Sequence, residues 1–148
     1  MNRQIEMRRT MRELKIAVVG GGMFFEEIIG QSLKDFERGG FAGALNAIGM
    51  SHFAPQVADI RCTFAAIGTR SARTGSAERI ANWFKEDFPQ SSVRVHYGET
   101  VWDEILQKHE PDILFVATPD PLHTEPILAA LKRGVHVIDR KSTRLNSS

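Results

Sequence analysis

A three-layer α/β fold, with helices on both faces of a doubly wound parallel sheet, is predicted by two patterns in this sequence. Short apolar, β-branched runs alternate along the chain with amphipathic stretches of helical spacing, and the first run ends in three consecutive glycines. Strands that are apolar throughout, rather than alternately apolar and polar, belong to sheets covered on both sides.

The elements follow in order. Leu14–Gly20 (LKIAVVG) reads as the first buried strand. Glu26–Arg38 places Ile28, Ile29, Leu33 and Phe36 at helical spacing, and Gly39-Gly40 is expected to stop that helix. Phe41–Asp59, rich in Gly and Ala, is poorly periodic and reads as a loop-like insertion with one short helix. Arg61–Gly68 is a second buried strand, and Ser76–Phe88 a helix with Ile80, Trp83, Phe84 and Phe88 on its apolar side, ended by Pro89. Val93–Tyr97 is a short third strand and Val101–Lys108 the helix after it. Ile113–Ala117 is the fourth strand, Glu125–Arg133 a helix with Pro126 in its first turn and Gly134 closing it, and Val135–Ile138 opens a fifth strand that is cut short.

Composition narrows the function classes. The chain has 148 residues, 42% hydrophobic and 25% charged, an ordinary single globular domain able to bury a core without disulfides. Its formal charge of +1 provides no field to gather nucleic acid or an anionic membrane, and neither is expected as a partner. The apolar runs are far shorter than the roughly 20 residues a spanning helix needs. Residues 1–13 carry Arg3, Arg8, Arg9 and Arg12 but lack a signal-peptide apolar region, so they read as a flexible leader of a cytoplasmic protein, with Met7 and Met11 as alternative starts. Cys62 lies in an apolar run and reads as a small buried thiol. His52, His96, His109 and His136 lack metal-ligand spacing, and no metal site is expected. Asp103, Glu104 and Glu110 read as solvated helix residues.

In doubly wound sheets ligands bind beyond the carboxyl ends of the strands, which directs attention to four strand-end segments: Gly20–Phe25, Thr69–Arg73, Thr118–His123 and the residues after Ile138. Gly20-Gly21-Gly22-Met23-Phe24-Phe25 satisfies the first two glycines of G-x-G-x-x-G and places Phe25 at the third. Gly20 permits a tight turn, Gly22 lets backbone approach a pyrophosphate, and the amides near Met23 and Phe24 at a helix start suit an anion. A phenyl ring where a glycine normally allows close packing implies a displaced helix or a rotated first turn. At the second strand end an acid would bind the ribose hydroxyls of NAD; here Thr69, Arg70 and Ser71 offer hydroxyls and a guanidinium, which suit the 2′-phosphate of NADP. A solvated loop with ordinary surface arginines is the alternative, and NAD remains the alternative cofactor.

The fourth strand ends in Ala117-Thr118-Pro119-Asp120-Pro121-Leu122-His123. Together with KIAVVGGGM, GTRS and AALKRGVHVI, this segment resembles the N-terminal, Rossmann-like dinucleotide-binding domain of the Gfo/Idh/MocA oxidoreductases, over Leu14–Ile138. The resemblance implies that Thr118, Pro119 and His123 contact the nicotinamide and its ribose, with Asp120 where the family often has Asn. Tyr97-Gly98 and the WDEIL that follows resemble the family's third-strand region and are expected to serve packing. The parent is then expected to transfer hydride between a nicotinamide and a sugar, cyclitol or related polyol, as a homo-oligomer. A non-catalytic dinucleotide-binding or sensing module and an unrelated doubly wound protein such as a methyltransferase are the alternatives.

Residues 139–148, DRKSTRLNSS, form a polar run without periodicity that begins in the middle of a strand. Back-translated as gat cgg aag agc aca cgt ctg aac tcc agt, it looks like a common sequencing-library adapter read in frame. The expected organisation is therefore a leader over 1–13, a dinucleotide-binding domain over 14–138 and a non-native tail over 139–148. The family's Glu-Lys-Pro motif, whose lysine lies near substrate, falls on Arg140-Lys141-Ser142 and is lost; the second domain is expected to be missing too, leaving this fragment inactive with no catalytic residue assigned. Reading the source DNA across codon 138 is expected to give Glu-Lys-Pro and a further domain. DNA encoding DRKSTRLNSS followed by a stop would overturn this and favour the stand-alone binding module.

Overall fold

The computed structural model describes residues 11–22, 25 and 29–139. Five parallel strands form one sheet: β1 (Arg12–Val19), β2 (Ile60–Thr69), β3 (Arg94–Tyr97), β4 (Ile113–Val116) and β5 (His136–Asp139), in the spatial order β3-β2-β1-β4-β5. Between them run α1 (Gly30–Ala47), α2 (Ala54–Val57), α3 (Ser76–Asp87), α4 (Val101–His109) and α5 (Thr124–Lys132). This is the doubly wound parallel arrangement that the sequence predicts.

Alternation along β1 divides the core in two. Ile16 and Val18 face α1 and α3, where they meet Leu33, Phe64, Ile80 and Phe84. Ala17 and Val19 face the opposite layer with Leu114 and Val116, against Val101, Ile105 and Leu106 of α4 and Ala130 of α5. Side chains on successive strand residues point to opposite faces, so a strand apolar at every position is what two helical layers require. A register shift between Ile16 and Ala17 pairs Ile16 with Phe64 and Ala17 with Ala66, leaving Ala65 as an extra residue in β2.

Two expected boundaries are corrected. The α-helix is described from Gly30, and the expected start at Glu26 lies outside the described residues. Gly40, at φ 62° and ψ −165°, does interrupt the helix, but the chain turns helical again to Ala47. Phe41–Asp59 is consequently not a loop: after Ala47 it contains a 3-10 turn over Ser51–Phe53 and then α2. The reason lies in packing, since Phe41 stacks edge-on against Phe36 at 5.1 Å and lies against the α1 and α3 core. Burial of one aromatic ring outweighs the weak periodicity of a Gly- and Ala-rich segment. Near the other end of that segment, β1 starts earlier than expected because the Arg12 N–H donates to the Asp59 carbonyl at 2.8 Å.

Cys62 is buried, and desolvation followed by the charge of Glu37 pushes its thiol pKa up. Phe84 is fully buried, meeting Phe64 edge-on at 5.1 Å and Phe88 at 4.9 Å. Phe84→Ala is expected to destabilise the fold by about 3–5 kcal/mol. Leu128→Ala, at a side chain 50% exposed, is expected to change stability little. Urea unfolding of the two variants beside the parent chain checks both, and equal midpoints would contradict this description of the core.

Candidate functional site

A crevice of about 530 Å³ opens at the carboxyl ends of β1, β2, β3 and β4. Its floor is the turn after β1. Gly20 has φ +104°, donates its N–H to the Gly68 carbonyl at 2.8 Å, and leaves no room for a side chain, since a Cβ there would stand 2.6 Å from the Ala117 carbonyl carbon. Gly21 is nearly as confined, its position 3.0 Å from Ser76 Oγ and 3.1 Å from Thr69 Cγ2. Gly22 is different: it is exposed, with nothing among the described residues within 4 Å of where a Cβ would be. The first two glycines thus close the turn against β4 and α3, while the third leaves its backbone open to the crevice.

Phe25 points away from this opening. Its N–H donates to the Gly22 carbonyl at 3.0 Å, and its ring is buried 6.1 Å from that of Phe64. A close helix–helix approach occurs at Gly30, where a Cβ would lie 3.0 Å from the Trp83 ring of α3. Met23 and Phe24 lie outside the described residues.

The end of β2 forms one wall. Thr69 donates its hydroxyl proton to the Ser71 carbonyl at 3.1 Å, and Ser71 Oγ accepts from the Arg73 N–H at 3.1 Å. Gly98, following β3, donates its N–H to the Thr69 carbonyl at 3.2 Å, so the ends of β2 and β3 are tied together. This brings Glu99 to Arg70, with Oε2 2.8 Å from Nε. Sequence reading did not select Glu99, although its position just past a strand end was the available signal. Val101 and Trp102 also line the crevice. Trp102 had been expected to serve packing; Val101 does so, since with Ile105 it fills the space beside Gly68, where a Cβ would clash at 2.6 and 2.5 Å.

The end of β4 forms the opposite wall with Thr118 and Pro119. Thr118 Oγ1 is buried with no hydrogen-bond partner among the described residues. A buried hydroxyl left unsatisfied is costly, and it marks where a polar ligand group would be accommodated. His123 is not part of the crevice lining. Its ring is buried, with Nε2 at the Thr118 carbonyl and Nδ1 2.8 Å from Asp139 Oδ1, so each nitrogen faces an acceptor. The crevice therefore gathers Gly20, Gly22, Thr69, Arg70, Ser71, Thr118 and Pro119, and places His123 behind it.

A larger hollow of about 750 Å³ lies among Glu13, Lys15, Glu37, Arg61 and Arg94 at the other end of the sheet. It mixes charges of both signs and has no glycine turn or unsatisfied buried polar atom. Ligand chemistry is better served by the carboxyl-end crevice. Among the described residues no cluster of three His, Cys, Asp or Glu could hold a metal ion, and no helix is long and apolar enough to cross a membrane.

Comparison with known proteins agrees with this geometry. The profile of the oxidoreductase family with an NAD-binding Rossmann fold matches residues 14–141. The chain belongs to the Gfo/Idh/MocA oxidoreductase family. A solved structure, the crystal structure of an NAD binding oxidoreductase from Klebsiella pneumoniae, superposes with a TM-score of 0.54 at 23% identity, covering 87% of this chain and 27% of that one. This likeness shows the shared fold, and the present chain spans about a quarter of that protein's length. No curated protein matches. The family's dinucleotide fits the residues on two structural grounds: Gly22 is exposed on the crevice where a phosphate could approach, and Thr118 holds a buried hydroxyl without a partner among the described residues on the facing wall.

The unequal confinement of the glycines is testable. Gly20→Ala is expected to cost at least about 2 kcal/mol, from the positive φ and the backbone clash together. Gly22→Ala is expected to leave stability near that of the parent. Thermal unfolding of both variants checks this, and similar losses at the two positions would contradict the geometry of the turn.

Proposed function

We propose that the crevice binds a nicotinamide dinucleotide, NADP with NAD as the alternative, and that the chain is the cofactor-binding half of an oxidoreductase acting on a sugar, cyclitol or related polyol. The observation that carries this reading is the convergence of the glycine turn, the β2 terminus and the unpartnered Thr118 hydroxyl on one crevice. Bound nicotinamide would supply the hydride chemistry; the residues of the chain bind and orient it.

Roles divide along the crevice. Gly20 and Gly22, with the amides of Met23 and Phe24, would hold the pyrophosphate. Thr69, Arg70 and Ser71 would receive the adenosine ribose, where a guanidinium and hydroxyls suit a 2′-phosphate. Thr118 and Pro119 would line the nicotinamide end. His123, behind Thr118, would act through its grip on the Thr118 carbonyl and so fix the wall that the ring meets. Residues 1–13 would be a leader, its last two residues Arg12 and Glu13 already paired in β1, and 139–148 a non-native tail, its first residue Asp139 completing β5, in a parent that is cytoplasmic and homo-oligomeric. The family's Glu-Lys-Pro motif falls on Arg140-Lys141-Ser142, so this stretch of chain would bind cofactor without turning over substrate.

Titration of the purified chain with NADPH and NADH, followed by nicotinamide fluorescence and by displacement with S-adenosylmethionine, tests the reading. Saturable binding of the reduced nicotinamides, without displacement by S-adenosylmethionine and without polyol turnover, is expected. Binding of S-adenosylmethionine alone would overturn the cofactor assignment, and reproducible dehydrogenase activity would overturn the inactivity of the fragment.

A further inference from the structure

We propose that Glu99 is a specificity-determining residue of the crevice, competing with the 2′-phosphate of NADP for Arg70 and so holding down discrimination against NAD; this rests on the dinucleotide reading of the site. The β2 terminus carries no acid, and on sequence grounds it favours a phosphate. In space an acid is present all the same. It comes from the neighbouring strand, because the Gly98 N–H ties the end of β3 to the Thr69 carbonyl and sets Glu99 Oε2 2.8 Å from Arg70 Nε.

Arginine recognises phosphate best through a fork of two parallel N–H donors, and the edge bearing Nε is one such fork. Glu99 takes the Nε donor of that edge. A phosphate approaching Arg70 must therefore displace the carboxylate or bind beside a like charge, whereas a ribose 2′-hydroxyl meets an acceptor it can donate to. Both partners are solvent-accessible, at 62% for Arg70 and 74% for Glu99, so the pair can open without disturbing the core. That exposure also bounds the effect, because accessible ion pairs are weak and screened by salt.

The test compares NADPH and NADH binding to the parent chain, Glu99→Gln, Glu99→Ala and Arg70→Met at low ionic strength, with thermal unfolding to establish that each variant is folded. Both Glu99 variants are expected to raise the affinity ratio of NADPH over NADH roughly three- to fivefold, mainly through tighter NADPH. Arg70→Met is expected to lower that ratio, and in its background Glu99→Gln should give a smaller gain. A ratio that is unchanged or falls in the Glu99 variants, with both dinucleotides still bound, overturns the role of Glu99 alone. A parent chain that binds neither dinucleotide overturns the crevice reading, and this proposal with it.

Discussion

The close approach of the β1 terminus to its two neighbouring strands is the constraint on which the rest of the crevice depends. Gly20 donates to the Gly68 carbonyl of β2 on one side and, lacking a Cβ, lets Ala117 and Thr118, just past β4, come within contact on the other. The Ala117 N–H continues the same sheet pattern by donating to the Val19 carbonyl at 2.8 Å. Three strand ends are thereby drawn to one point. A side chain at Gly20 would push β4 outward and separate the wall carrying Thr118 from the glycine turn.

Phe25 illustrates how a departure from a motif is absorbed. In the usual pattern a third glycine allows the helix after the first strand to lie close to the sheet. Here the ring at that position fills core space beside Phe64, and further along Gly30 allows α1 to approach Trp83 of α3. The same region is braced by Lys34, whose ammonium lies 3.5 Å from the centroid of the Trp83 ring and 2.8 Å from Asp87 Oδ2. That pairing holds the Asp87 carboxyl below its ordinary value. Phe25 thus serves the core on the α1 and α3 side of the sheet, where the motif usually has a glycine.

Much of the crevice lining was legible in advance because strand ends in a doubly wound sheet converge by topology. Gly20, Gly22, Thr69, Arg70, Ser71, Thr118 and Pro119 could be selected once the strands were recognised. His123 was recognisable as part of a motif, but its local sequence does not say which way the ring turns. Its direction is set by the Thr118 carbonyl and by Asp139 across the β4 and β5 strand ends. Glu99 was signalled only by its place just past a strand end, since its partner Arg70 follows β2 and only the pairing of β2 with β3 brings the two together.

By itself the sequence determined the alternation of strand and helix, the parallel sheet and the position of the glycine turn. Each of these is written in local periodicity and in residues with restricted or special backbone freedom. Only the tertiary structure decided that Phe41–Asp59 is largely helical, that Phe25 is a core residue, and that Arg70 is already engaged by a carboxylate. Those outcomes depend on contacts between residues distant in the chain, whose packing and charge energies local patterns do not contain.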